Sequence, residues 1–489
     1  MASLLELSHE LLHCIFTEIS PTDLSSISRT CKDLNRYVCG NKLLHKDIYR
    51  RRYDPPDSEL DWETQVHNLF ELERILESED HEVKREALGT VAERIDHLLE
   101  TSASDPDASL NIRLLAEHFA DVANIDVFLC SSSLFSRAGS ISQIPAATEE
   151  LCQTSAKLHC LYGVPVDEVP APTPFFEWQP HVQFSSPSRT RSGSKPRLTH
   201  TYARSKVYDL RQYTDATLWG PFRDDGSQRV DWEKVEAIMI VLGFNLRKFT
   251  ERSGGRFPLI WDEPFIGATP RSYISLPPAP APDKELDEEL LKIRELALGL
   301  DAQDPYGVTG TWMRVVCFLD FNDLYAFNFT KRTPANEPRE PINTEEAIRL
   351  IRVKWHVTKI EMPNSHSEND DDEDEDDGLD WSNFQGERLP IVHFAGTSRS
   401  LHASWDPNAN SKIRGTVRQT PEGQIRWTTF SIFHGEERWR SEGIQVGGLR
   451  SARGVLGNWF DKDYDIHGPA GPTAFWKETD TLEEENNTN

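Results

Sequence analysis

The chain has 489 residues, room for roughly two to four domains, and a formal net charge of -27 at pH 7. A polyanion repels phosphate, so nucleic acid binding has no electrostatic support. Hydrophobic residues at 37% and aromatics at 10% point to packed cores rather than wholesale disorder, no stretch reaches bilayer-spanning length, and Glu6, His9 and Glu10 interrupt any export-signal core.

Residues 4–39, LLELSHELLHCIFTEISPTDLSSISRTCKDLNRYVC, read as three short capped helices. Ser8 caps a first helix in which Leu11, Leu12, Ile15, Phe16 and Ile19 recur at the spacing of one helical face. Ser20 suits the N-cap of a second helix, Pro21 its first position and Asp23 its positively polarised first turn; Leu24 and Ile27 continue it. Thr30-x-x-Asp33 opens a third, with Leu34 and Val38 facing inward. Three helices of about ten residues cannot bury enough surface to be stable alone. Such a unit needs the rest of its own chain or a partner protein.

The arrangement closely resembles the F-box, the module that attaches substrate receptors to the adaptor Skp1 in cullin-based ubiquitin ligases. Leu4, Leu7, Glu10, Leu11, Ile15, Phe16, Ile19, Pro21, Asp23, Leu24, Ile27, Ser28, Cys31, Leu34 and the tail LLHKDIYRRRY carry the resemblance. It departs from the pattern at Leu7-Ser8, where the family has Leu-Pro, and at Leu44, where a tryptophan is often seen. The resemblance implies that Leu7, Leu11, Leu12, Ile15, Phe16, Ile19, Pro21, Leu24 and Ile27 bury against Skp1 or complete the F-box core. It further implies a link through Skp1 to cullin and its RING partner, in an SCF ligase of the fungal type. Without the resemblance, the same residues also read as a helical subdomain packing on its own chain.

Residues 1–54 are thus expected to form an F-box and 58–164 a helical spacer. In the spacer, Trp62, Val66, Leu69, Phe70, Ile75 and Leu76, then Val83, Ala87, Val91, Ile95 and Leu98, form stripes at the helical period. Residues 165–198 are rich in proline, then serine and basic residues, and read as a linker. A β-rich domain is expected over 199–477, preceded within it by one amphipathic helix bearing Trp232, Val235, Ile238, Met239 and Leu242. Asn322-Asp323 reads as a turn, and the stretch from Glu345 as a helical turn running into a strand through Val353, Trp355 and Val357. Two alternating runs flank Pro421-Glu422-Gly423, a hairpin signature, with a further turn at His434–Glu437. The acidic loop 364–382 and the tail 478–489 should be solvated and disordered. The fold class is α+β multidomain: an F-box and helical layer, then a mostly antiparallel barrel or sandwich.

Seven cysteines, Cys14, Cys31, Cys39, Cys130, Cys152, Cys160 and Cys317, are expected to be reduced, buried thiols of an intracellular protein of cytoplasm or nucleus. Cys152, His159 and Cys160 lack the paired spacing of a zinc site. No nucleophile motif, phosphate loop, metal or cofactor signature is present, so a non-catalytic receptor is expected. The densest concentration of binding-prone residue types is Arg426, Trp427, Arg438, Trp439, Arg440, Arg450 and Arg453. Arg and Trp dominate protein hot spots, and alternation sends Arg426 and Trp427 to opposite sheet faces. Two arrangements follow: a Trp-lined interior with an Arg-rich rim that captures a protein substrate, or core tryptophans with arginines paired to Glu422, Glu436, Glu437, Glu442 and Asp461. The alternatives to a ligase receptor are a Skp1-bound scaffold and a β-barrel enzyme or ligand carrier.

Overall fold

The computed structural model describes residues 4–19, 21–56, 59–138, 145–163, 199–254, 260–273, 299–363, 381, 384, 386–401 and 410–482. The 165–198 linker, the acidic run at 368–377, Ser20 and most of the acidic tail lie outside them.

The first helices are α1 (His9–Thr17), α2 (Pro21–Ser28), α3 (Lys32–Val38) and α4 (Lys42–Arg52). Ser8 caps α1, its side chain accepting from the Leu11 amide. The expected cap of α3 moves by one residue. Cys31 is its N-cap and accepts from the Leu34 amide through sulfur, whereas the Thr30 hydroxyl donates back to the Ile27 carbonyl at 2.7 Å. The helical layer continues through α5 (Trp62–Leu76), α6 (His81–Glu86), α7 (Leu88–Glu100), α8 (Leu110–His118), α9 (Val122–Asn124), α10 (Ser133–Arg137) and α11 (Glu149–Tyr162). Asp54 ties the first four helices to this layer. Its buried carboxylate accepts from Ser109 Oγ at 2.5 Å, from the Ala103 and Leu110 amides at 3.0 Å and from the Asn111 amide at 3.4 Å.

Two further helices, α12 (Thr199–Val207) and α13 (Trp232–Arg252), pack on each other, and α13 also packs on α11. The stripe expected of an amphipathic α13 is exceeded. Ten successive residues from Trp232 are buried but for Ile240, including Glu233, Lys234 and Glu236. A helix buried on nearly every side lies between two layers: α13 has α11 and α12 on one side and strands of the barrel on the other.

The barrel is closed and antiparallel in sequence order, β1 (Gly310–Phe318), β2 (Ala347–Glu361), β3 (Ile391–Ser400), β4 (Asn410–Gln419), β5 (Ile425–Phe433), β6 (Glu436–Gln445), β7 (Val455–Asp461) and β8 (Ala470–Thr479), with β8 pairing back onto β1. Closure removes every sheet edge. β4 and β5 are the expected hairpin, and the β5–β6 turn uses His434 at φ 54° and Gly435 at φ 89°, the left-handed conformations of a tight hairpin. Two local expectations fail. Asn322-Asp323 is no turn but lies within a helix, α14 (Phe321–Tyr325), because Asp320 caps it by accepting from the Asn322 amide at 2.9 Å. The stretch from Ala347 is strand throughout, since its partners on β1 pair with it from its first residue.

Alternation along the strands builds two cores. Inside the barrel, Trp312, Trp355, Phe394, Trp427 and Phe475 form one aromatic cluster, with Trp312–Trp427 centroids 5.1 Å apart and Trp355–Phe394 4.7 Å. Eight strands enclose little more than their own side chains, and these rings fill that space. Outside, Met313, Val315, Cys317, Leu456, Ala474 and Trp476 join a single cluster that continues through α13 to Phe16 and Leu12 of α1.

Candidate functional site

The first helix presents two leucine-type faces with different fates. Leu12 (6% exposed) and Phe16 (0%) join Leu24, Leu34, Val38 and Leu44 in the core. Leu11 (53%) and Ile15 (38%) face solvent, as do Leu4 and Leu43. Leu7, Ile19 and Ile27 are half-buried against the core, and Pro21 starts α2. The i, i+4 pattern of the sequence therefore contains two adjacent stripes. Leu12 and Phe16 hold α1 down, and Leu11 and Ile15 leave an apolar surface open. His13 Nε2 contacts Asp47 Oδ2 at 2.8 Å and fixes α1 on α4.

The seven residues expected at the barrel do not converge. Trp427 is inside the aromatic cluster, its indole N–H donating to Gln445 Oε1 at 3.1 Å. Arg426 is buried on the outer wall over the Phe222 ring. It donates to Glu442 Oε2 at 2.9 Å, and Arg440 donates to Glu442 Oε1 at 2.7 Å. Burial pushes the Glu442 carboxyl up, but Arg426 and Arg440 together outweigh it and hold it below the usual carboxylate value. The Gly220 backbone closes this triad. A β-carbon there would sit 2.8 Å from Glu442 Cβ, so only glycine lets the 217–222 loop lie on the sheet. Arg453 is buried between layers, donating to the Tyr162 and Glu263 carbonyls at 2.8 Å. Arg426, Trp427 and Arg453 are thus enclosed by their own chain, where no partner protein reaches them in this conformation. Acidic partners near in sequence drew Arg426 and Arg440 inward, and burial of the helical layer did the same for Arg453.

Arg438 is exposed beside Trp439, which packs edge-on against Trp459 at 5.3 Å. Arg450 lies at the other end of the barrel, where its guanidinium donates to the Pro305 carbonyl at 2.9 Å and the Asp304 carbonyl at 2.7 Å. It lines a cavity of about 210 Å³ with Tyr273, Asp304, Trp312, Lys477 and Asp480. Burial lifts the Asp304 carboxyl and lowers the Lys477 ammonium.

A family model for the F-box domain matches residues 4–46. The first helices are an F-box domain. Comparisons with curated proteins and with solved structures give no match. An F-box binds Skp1 within SCF complexes and supports a substrate-receptor role in SCF-type ubiquitin ligases, and F-box proteins are typically non-catalytic subunits. The domain spans α1–α3 and the first turn of α4, so the open Leu11–Ile15 stripe lies within it.

Other chemistry-bearing groups of the chain are mostly engaged internally, although the buried His159 Nε2 has no hydrogen-bond partner among the described residues. His159 Nδ1 contacts Glu236 Oε1 at 2.7 Å rather than either neighbouring cysteine, and Ser132 donates to the other Glu236 oxygen at 2.6 Å. Burial pushes the Cys160 thiol far up, which keeps it unreactive. Cys14 and Cys39, expected inside, are exposed. Glu73, Glu77 and His118 come close enough to share a cation, but the Glu73 carboxylate already accepts from Tyr53 and from Arg52 at 2.8 Å. Among the described residues no helix is long and apolar enough to cross a membrane.

Proposed function

We propose that this chain is the substrate-recognition subunit of an intracellular SCF-type E3 ubiquitin ligase. It binds Skp1 through α1–α3 and a protein substrate through the surface of its barrel domain. The observation that carries the reading is α1 itself, which spends Leu12 and Phe16 on the chain's own core and leaves Leu11 and Ile15 uncovered in a matched F-box. The chain's contribution is positional. Holding a substrate lysine beside an activated thioester raises its effective concentration without any bond chemistry by the receptor. The ring-filled barrel supports a surface role over that of a ligand carrier, because its interior holds packed side chains where a carrier needs a cavity. Copurification of the full chain separates the alternatives. Skp1 and cullin together are expected; Skp1 without cullin would leave a scaffold, and neither would overturn the receptor reading.

A further inference from the structure

Among the described residues, twelve large hydrophobic side chains stand exposed. Four of them, Leu4, Leu11, Ile15 and Leu43, fall within the F-box match. Five others, Phe321, Tyr325, Phe329, Tyr464 and Ile466, come from two segments at one end of the barrel. Scattered exposed apolar residues are ordinary, but concentration in two places is the signature of interfaces. The first patch has its partner in Skp1 under the receptor reading. The second has none assigned.

Its geometry is built rather than accidental. α14 continues through a wider helical turn at 326–330, and Phe321, Tyr325 and Phe329 ladder along its outer face with centroids 6.2 Å and 5.0 Å apart. Wide turns of this kind often mark functional positions. The inner face holds Leu324 and Asn328. Asn328 fixes the helix at both ends of its amide, donating to the Tyr208 carbonyl and accepting from the Leu210 amide, each at 3.0 Å. Arg339 then clamps the Phe327 and Asn328 carbonyls at 3.0 Å and 2.9 Å. From the β7–β8 turn, His467 meets Phe329 at 4.8 Å and extends the ladder onto that turn, where Ile466 is exposed and Tyr464 packs on Trp219 and Phe460 with its hydroxyl accepting from Arg440. A loop that merely closed a barrel would not be anchored by two buried polar side chains in order to hold aromatic rings in water.

The surrounding charge selects the occupant. Asp320 and Asp323 lie at the start of α14, and Asp461, Asp463 and Asp465 on the turn, against Lys331, Arg332 and Lys462, the last already paired with Asp463 at 2.6 Å. The acidic excess sits in a chain of net charge -27, which steers a basic partner toward it.

We propose that this aromatic ladder is the substrate-docking surface, and that it takes a protein segment with aliphatic or aromatic anchor side chains flanked by lysine or arginine. The proposal rests on the receptor reading above and names where and what that receptor grips. A displayed library of random peptides, selected on the full chain, is the probe. Selected peptides should be enriched in apolar residues with basic flanks. Their affinity should fall about tenfold or more in the Phe321→Ser/Phe329→Ser variant, as for loss of central aromatic anchors. Asp323→Lys with Asp463→Lys should weaken binding and flatten its salt dependence while leaving every ring in place. All four substitutions are at exposed positions, and an unchanged melting temperature would certify the fold. Selection of acidic peptides, or of peptides indifferent to all these variants, would overturn the proposal. So would self-association of the chain that the serine variant abolishes, since the ladder would then face a second copy. Purified Skp1, titrated against the same variants, should bind each as well as wild type. Failure of Skp1 to bind wild type would sink the receptor reading while the peptide result still judged the surface.

Discussion

Leu11 and Leu12 are the same residue one position apart, and they do opposite things. Leu12 is core and Leu11 is 53% exposed, so their substitutions should separate folding from binding. Leu11→Asp with Ile15→Asp is expected to abolish Skp1 capture in a pull-down while leaving the melting temperature within a degree or so, because exposed substitutions change stability little. Phe16→Ala, at 0% exposure, should instead cost about 3–5 kcal/mol in denaturant unfolding and lose Skp1 only as the module unravels. Equal melting temperatures for the two variants would refute the division. Glu442 poses a similar contrast at the barrel. Replacing it by alanine takes the carboxylate from buried Arg426 and half-buried Arg440, with an expected loss of about 3–5 kcal/mol. Its pH dependence has a definite sign. The folded carboxyl lies below its ordinary 4.5, so its stabilisation is complete above that value and is lost as pH falls through the lower folded value. Acid titrations of unfolding should therefore show a steeper decline in wild type than in the alanine variant.

The elements legible in the sequence were those whose signal is local. The cap at Ser8, Pro21 as the first residue of α2, the hairpin around Gly423 and the stripes of α5 and α7 all depend on residues a turn or two apart, and each element stands where the pattern put it. The closed sheet was foreseen only as a barrel or sandwich, because strand order depends on contacts between β1 and β8, which lie far apart in the chain. The arginines misled for the same reason: Arg453 finds the Tyr162 carbonyl across the whole helical layer, and spacing along the chain carries no trace of that. The docking ladder hid inside a segment read as a turn, where i, i+4, i+8 aromatics were the available clue. In α13, Lys234 shows what such nonlocal burial does to a charge. Burial, with Lys206 against it and Asp231 and Asp209 for it, lowers its ammonium from 10.5 to about 7. Its amine donates to the Gly220 carbonyl at 3.2 Å and lies 4.3 Å from the Tyr213 ring centroid. A lysine whose folded value is depressed binds fewer protons in the native state between those two values, so this group makes stability rise with pH across that window. Lys234→Met should remove that rise in urea titrations performed between neutral and alkaline pH. An identical slope in both proteins would show that the ammonium remains charged inside.

For the molecule as a receptor, stiffness between its two ends matters more than either end alone, since a floppy arm dilutes the effective concentration it is meant to supply. The packing argues for stiffness. Asp54, just after α4, bonds the end of the first four helices to α8 and the loop before it, α13 is shared between the helical layer and the outer wall of β1, β2, β7 and β8, and one apolar cluster runs through all of them. The sequence suggested a divisible chain, with a domain starting at residue 199. A fragment of 199–489 would carry α13 without α11. Its Glu236 would lose both His159 and Ser132, Arg453 would lose the Tyr162 carbonyl, and the apolar side of α13 would meet water. Those two groups, at about 1–3 kcal/mol each where they stay buried, add to the larger cost of exposing the apolar side of α13, about 25 cal/mol per Å², against an ordinary domain's stability of about 5–15 kcal/mol. The fragment should therefore aggregate or show no cooperative near-ultraviolet transition, whereas the full chain should melt its barrel and α11–α13 together. A fragment that unfolds cooperatively at the full chain's temperature would mean that the barrel is an independent domain, and that the arm joining it to Skp1 bends.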